Sequence, residues 1–148
     1  MTLRVGQHPP DFEIETTDGH RTLRQLLEMG ALILVFYSDD TSTEAASTLG
    51  AFRDQHESFA NFSAHILAVS TDDLKSHFRL LTSESILFSM GTDPDMDLAR
   101  KYEAAGEDGR ARRVVYVIGE DGRISGAVDP FTADQTSFGR IYDALGLG

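Results

Sequence analysis

Six consecutive residues, Ala31-Leu32-Ile33-Leu34-Val35-Phe36, are apolar without exception. A strand with one face in water alternates polar and apolar positions, so this one reads as a central strand covered on both faces. His65-Ile66-Leu67-Ala68-Val69 is a second such strand. Between them an amphipathic segment reaching about Ala60 places Leu49, Phe52 and Phe59 at helical spacing. Strands alternating with helices imply a parallel sheet at the core of an α/β domain. The apolar run from Ala31 to Tyr37 is far shorter than the roughly 20 residues of a membrane-spanning helix.

The flanking segments extend this pattern. Phe12-Glu13-Ile14-Glu15 alternates as a strand and meets the turn signal Asp18-Gly19. Thr22 with Gln25 is a capping box opening a short helix that carries Leu23, Leu26 and Leu27, and Gly30 ends it. Ser70 to Asp73 cap a helix bearing Leu74, Phe78 and Leu81. A short strand is expected at Ile86–Phe88, and Asp93-Pro94 as N-cap and first helical residue ahead of Leu98 and Tyr102. Val114–Ile118 and Ile124–Val128 flank Asp121-Gly122 as a β-hairpin, and Thr132 with Gln135 opens a final helix bearing Phe138, Ile141 and Leu145. With no repeat, low-complexity tract or linker, a single domain is expected over residues 1–148. The element order is that of a thioredoxin-like α/β fold, a central mixed sheet flanked by helices, with an N-terminal strand extension.

Charge narrows the classes of partner. Thirteen Lys and Arg against 24 Asp and Glu give a net charge of −11, a field that repels phosphate backbones and anionic membranes. Neither nucleic acid nor membrane is therefore expected as a partner. No apolar signal segment follows Met1, so a cytoplasmic location is the expectation. The chain has no cysteine, which removes disulfides, thiolate nucleophiles and cysteine metal sites.

Several motifs spread along the chain carry a resemblance. Val5-Gly6-Gln7-His8-Pro9-Pro10-Asp11-Phe12, Asp18-Gly19 and Leu34-Val35-Phe36-Tyr37 are similar to segments of peroxiredoxins of the alkyl hydroperoxide reductase and thiol-specific antioxidant type. So are Phe52-Arg53-Asp54, Val69-Ser70-Thr71-Asp72, and Arg113 to Ile118 with Asp121-Gly122-Arg123-Ile124. The bacterioferritin-comigratory subgroup is the most similar. The order of these matches covers almost the whole chain.

The resemblance implies a site where the first central strand turns into the following helix. The family pattern there is a proline, three residues, threonine or serine, two residues and the peroxidatic cysteine. Aligned without a gap, Ser38 stands at the proline, Ser42 at the hydroxyl residue and Ala45 at the cysteine. Arg113 stands at the family's active-site arginine, Thr48 where glutamate is frequent, and Gly50 where a resolving cysteine is common. The family's chemistry needs a thiolate that attacks peroxide and becomes a sulfenic acid. Alanine supplies neither nucleophile nor electrons, so no peroxide turnover by this route is expected.

Two readings of Ala45 stay open. The chain is a natural pseudoenzyme, in which Ser38, Ser42 and Arg113 bind a small anion or peroxide-like ligand or a protein partner. Alternatively it is a one-cysteine thiol peroxidase, reducing hydrogen peroxide or alkyl hydroperoxides, whose cysteine has been changed to Ala45. The resemblance also implies a homodimer. No cofactor is expected.

No metal site is expected either. Asp93, Asp95 and Asp97 imitate the start of a calcium loop, but its sixth and twelfth positions are Leu98 and Ala104 rather than glycine and glutamate. Asp73 and His77, four apart on a helix, read as a surface ion pair. His8, His20, His56 and His65 have no ligand spacing and are expected to be solvated or locally hydrogen-bonded. Thr41, Ser42 and Thr43 with Ser47 and Thr48 read as helix-capping hydroxyls rather than a hydrolase nucleophile, since no Gly-x-Ser-x-Gly elbow accompanies them. Arg53 is expected to pair with Asp39 or Asp40, and Arg113 to point into the pocket beside Ser42.

Overall fold

The computed structural model describes residues 2–146. Seven strands and five helices follow in the order β1 (Glu13–Thr16), β2 (Gly19–Thr22), α1 (Leu23–Glu28), β3 (Ala31–Phe36), α2 (Thr43–Asn61) and β4 (Ala64–Ser70). Then come α3 (Leu74–Ser83), β5 (Ser89–Thr92), α4 (Asp97–Lys101), β6 (Val114–Ile118), β7 (Ile124–Val128) and α5 (Gln135–Ala144). The strands form one mixed sheet in the order β2-β1-β5-β4-β3-β6-β7. The β3–β4 and β4–β5 pairs are parallel, and the outer pairs are antiparallel. This is the expected thioredoxin-like α/β architecture.

The uniform apolarity of β3 has the cause inferred for it. Leu32, Leu34 and Phe36 enter one core cluster with residues of α1 and α4, whereas Ile33, Val35 and Tyr37 enter a second with residues of α2 and α5. The second cluster contains a phenylalanine group in which Phe52 lies 4.9 Å from Phe131 and 5.1 Å from Phe138 between ring centroids. Gly30 is required where α1 feeds β3. Its φ is +125°, and a Cβ there would fall 2.1 Å from the Ser63 carbonyl oxygen.

Four local expectations change. Gly19–Thr22 is a strand, β2, paired with β1 at the sheet edge, where half-exposed polar residues leave no apolar pattern to read. The strand expected at Ile86–Phe88 lies instead at Ser89–Thr92, because the register with β4 pairs Leu67 with Ser89 and Ser70 with Thr92. Gly91 allows that strand to approach β1, since a Cβ would sit 2.7 Å from Ile14 Cδ1. Helix α4 begins at Asp97 after Met96, whose φ is +60°, so Pro94 precedes the helix. Asp93 still caps it from outside, accepting from the N–H groups of Leu98 at 3.1 Å and Ala99 at 3.0 Å. The cap of α5 is Asp134, which accepts from Ser137 N–H at 2.9 Å, and Thr132 donates to that aspartate at 2.7 Å.

Candidate functional site

Strand β3 ends in the sheet interior, and the chain must turn back over one face to start α2. Residues 38–42 make that turn and hold the N-terminus of α2. Ser42 is the N-cap: its backbone is extended and its Oγ accepts from Ala45 N–H at 3.0 Å. Ser42 and Ala45 are therefore in direct contact through one hydrogen bond. Ala45 is buried, in the cluster with Tyr37, Leu49 and Phe52. Ser38 stands two residues after the end of β3 and is half-buried. Thr48 is buried one turn beyond Ala45, and Gly50 faces the Arg53 guanidinium.

Arg113, just before β6, lies on the same end of the sheet. Its Nη1 is 3.8 Å from Glu44 Oε2, and about a third of its side chain is exposed. The partner is thus the carboxylate preceding Ala45 in the first turn of α2. Glu44 is itself favourably placed at the positive end of the helix.

Sequence reading did not assign the group that occupies the turn. Asp39 Oδ1 accepts from the N–H groups of Thr41 at 2.9 Å and Ser42 at 2.7 Å, and from the Thr41 hydroxyl at 3.1 Å. Its Oδ2 accepts from Arg110 Nη1 at 2.5 Å. Burial raises the Asp39 carboxyl, and the N–H donors of Thr41 and Ser42 with the Thr41 hydroxyl and Arg110 more than offset it, so it lies below its ordinary value. The site loop therefore carries an internal anion clamped by an arginine.

The second aspartate points inward. Asp40 Oδ1 accepts from the Tyr37 hydroxyl at 2.5 Å, and its Oδ2 lies 2.7 Å from both Ser76 Oγ and His77 Nδ1. His77 is wholly buried, and its Nε2 lies 2.9 Å from the Gly91 carbonyl oxygen. This corrects the surface pairing expected of Asp73 and His77. Asp73 is the N-cap of α3 and accepts from Ser76 N–H at 2.8 Å, while His77 lies on the helix face turned to the sheet. A usable signal existed: His77 stands three residues from both Leu74 and Leu80 and shares their stripe. Phe78, expected in the core, is 48% exposed.

Arg53 also departs from expectation. It donates to the Glu84 carbonyl at 2.8 Å and pairs with Asp54 at 3.1 Å, away from Asp39 and Asp40. It lies eight residues beyond Ala45, about 12 Å down the helix axis, too far along to serve the loop. Arg112 makes two contacts of 2.7 Å to the Asp129 carboxylate. His20 has a local partner in Glu15, whereas His8 and His65 reach the carbonyls of Gly122 and Leu26, distant in sequence rather than local as expected. A groove of about 1080 Å³ lies on the other face of the sheet, floored by Phe12, Ile14 and Leu98, so it shares no wall with Ala45.

A chain with this fold, in which β3 leads into the capped helix α2 and Arg113 precedes the neighbouring strand β6, has relatives among known proteins. Residues 5–127 match the AhpC/TSA family. The chain belongs to that family. It is 29% identical over 103 residues to the peroxiredoxin Bcp of Bacillus subtilis (strain 168), covering 70% of this chain and 66% of that one. It is 27% identical over 154 residues to a chloroplastic 2-cysteine peroxiredoxin of Chattonella marina var. antiqua, covering 97% of this chain and 77% of that one. The crystal structure of the peroxidoxin BcpB from Mycobacterium tuberculosis superposes with a TM-score of 0.85 at 22% identity, covering 98% of this chain and 96% of the other. The reduced 2-Cys peroxiredoxin of Plasmodium vivax gives 0.85 at 20% identity, with 97% of each chain covered. This peroxiredoxin-family chain differs from the chemistry those names describe in one plain respect: it contains no cysteine. Among the described residues no helix is long and apolar enough to cross a membrane.

Proposed function

We propose that this AhpC/TSA-family chain does not reduce peroxides and acts instead as a binding protein, with the turn at 38–42 and the start of α2 as its contact region. The observation that carries this reading is Ala45. It occupies the position that the family pattern gives to the peroxidatic cysteine, and a methyl group can neither attack an oxygen nor store electrons. Its backbone N–H is already taken by Ser42 Oγ. Asp39 already satisfies the N–H groups of Thr41 and Ser42. A small anion or peroxide-like ligand entering here would compete with Asp39 for those donors and with Glu44 for Arg113. That competition favours a protein partner, which can engage Arg110 and Arg113 from outside. Self-association as a homodimer and a cytoplasmic setting belong to the same proposal.

A second reading has its own support. The site keeps a hydroxyl N-cap at Ser42, a buried position at Ala45 and an arginine opposite the helix start. These are the parts a one-cysteine thiol peroxidase would retain if only its cysteine were replaced. Peroxide consumption in the presence of a dithiol separates the two. The chain itself should show none, and a folded Ala45→Cys variant should stay inert if the region has become a binding surface. Peroxidase turnover in that variant would overturn the first reading and establish the second.

A further inference from the structure

Neither functional reading uses the large groove beside β1, and the sheet is unfinished there. Main-chain hydrogen bonds alternate along β1. Leu23 N–H donates to the Phe12 carbonyl at 3.1 Å, on the β2 side, and Thr17 N–H donates to the Met90 carbonyl at 2.8 Å, on the β5 side. Odd-numbered residues of β1 therefore turn their main-chain groups toward β5. That strand meets β1 only where Thr92 lies opposite Glu15 and Gly91 opposite Thr16. The same register continued would set Glu13 opposite Pro94, which has no N–H. The Asp93 N–H donates to the Ser70 carbonyl at 2.9 Å, away from β1. The main-chain N–H and carbonyl of Glu13 thus face the groove along an open stretch of edge.

The side chains there follow a second alternation. In Asp11-Phe12-Glu13-Ile14-Glu15 the apolar residues are buried on the groove floor with Leu98, and the acids are exposed. The facing wall adds Asp95 and Asp97. His20 stands 2.7 Å from Glu15 and 3.8 Å from Glu13, and Arg100 holds Asp97 at 2.6 Å. Among the described residues no cation pairs with the carboxylates of Asp11 or Asp95. The cations on the walls, His20, Arg24 and Lys101, leave the acids in excess.

We propose that this groove receives a short extended segment of a basic partner protein, added as a strand antiparallel to β1 beside Glu13. Side chains of an added strand alternate faces in step with those of β1, so an acid–apolar row selects a basic–apolar one. Lysines or arginines then lie over Asp11, Glu13 and Glu15, and the apolar residues between them reach Phe12, Ile14 and Leu98. A second copy of the chain is repelled by its own net charge of −11. A polyamine would use the acids but neither the open main chain nor the floor. The groove shares no wall with the α2 site, so this inference is independent of the reading of Ala45.

The test is a titration of the nitrogen-15-labelled chain with the end-blocked peptide Lys-Val-Lys-Val-Lys. Amide shifts should gather at residues 11–15 and 92–98, and hydrogen exchange at the Glu13 amide should slow as the peptide binds. The reordered peptide Lys-Lys-Lys-Val-Val has the same charge and should bind roughly tenfold more weakly, since its side chains cannot match both faces. In an added strand of this register the lysine N–H groups point at β1 and the valine N–H groups away from it. Methylating the lysine main-chain nitrogens should therefore abolish binding, and methylating the valine ones should not. Asp11→Asn with Asp95→Asn, both exposed, should weaken binding roughly fivefold. Equal affinity for the two peptide orders, or for spermidine, would mean that net charge alone attracts the ligand, and would overturn the proposal. So would the absence of binding, shifts centred on the start of α2, equal effects of the two methylations, or unchanged affinity in the double variant. The peptide comparisons use the unaltered chain, so they decide even if that variant fails to fold.

Discussion

At the residue scale, the N-terminus of α2 rests on single side-chain contacts whose removal has a definite size. Ser42 satisfies the Ala45 N–H that would otherwise be an orphan donor of the first turn. Replacing it with alanine should cost about 1 kcal/mol. For a chain of this size that is a fall in Tm of roughly 2–4 °C by differential scanning calorimetry. An unchanged Tm would mean that water caps the turn equally well. The same residue illustrates the limits of reading a motif. Its capping role was legible from a hydroxyl three residues before Ala45, because the cap is a local arrangement. Arg113 was legible only as a family position. Its contact with Glu44 rather than with Ser42 depends on how β6 lies against α2.

At the element scale, the junction of α1, α2 and β3 is governed by backbone approach. Gly30 sits against the Ser63 carbonyl, where no Cβ can be placed without displacing β3 or the end of α2. Gly30→Ala should therefore destabilise the chain by more than the roughly 1 kcal/mol typical of a glycine preference alone, read as a lowered urea midpoint with unchanged slope. A midpoint equal to the parent's would show that β3 can shift to admit the methyl group. Elements with strong periodicity or full apolarity were readable: β3, β4, β6, β7 and the long helix α2. Those held by their neighbours were not. β2 is a polar edge strand defined by its ladder to β1, and β5 is defined by register with β4. Helix α4 takes its start from an aspartate four residues upstream rather than from an adjacent cap.

At the scale of the whole molecule, two opposing electrostatic effects set the dependence on pH. A net charge of −11 at pH 7 gives a self-repulsion that added salt screens, so stability at neutral pH should rise with ionic strength. Acid acts in the other direction through Asp39 and Asp40. Burial raises the Asp40 carboxyl, and the hydrogen bonds from His77, Tyr37 and Ser76 more than offset it, so the carboxyl lies below its ordinary 3.8. A carboxyl lowered in the folded state adds stability above its ordinary value, and that contribution is lost as pH falls through the folded-state value. Thermal unfolding should therefore show Tm rising as pH is lowered from neutrality toward the isoelectric region near 4.7, then falling below about pH 4. A Tm that keeps rising into that acid range would mean that neither aspartate contributes. The sequence by itself determined the α/β class, the doubly covered central strands, the family motifs and the absence of a thiol nucleophile. Each of these is written in local order or residue identity, where periodicity and composition act directly. Only the tertiary structure decided that Asp39 fills the site loop with Arg110 and that His77 lies buried beneath it. It also decided that Arg113 meets Glu44. Those contacts join residues up to 71 positions apart, and long-range packing, not local preference, chooses among the several carboxylates each base could reach.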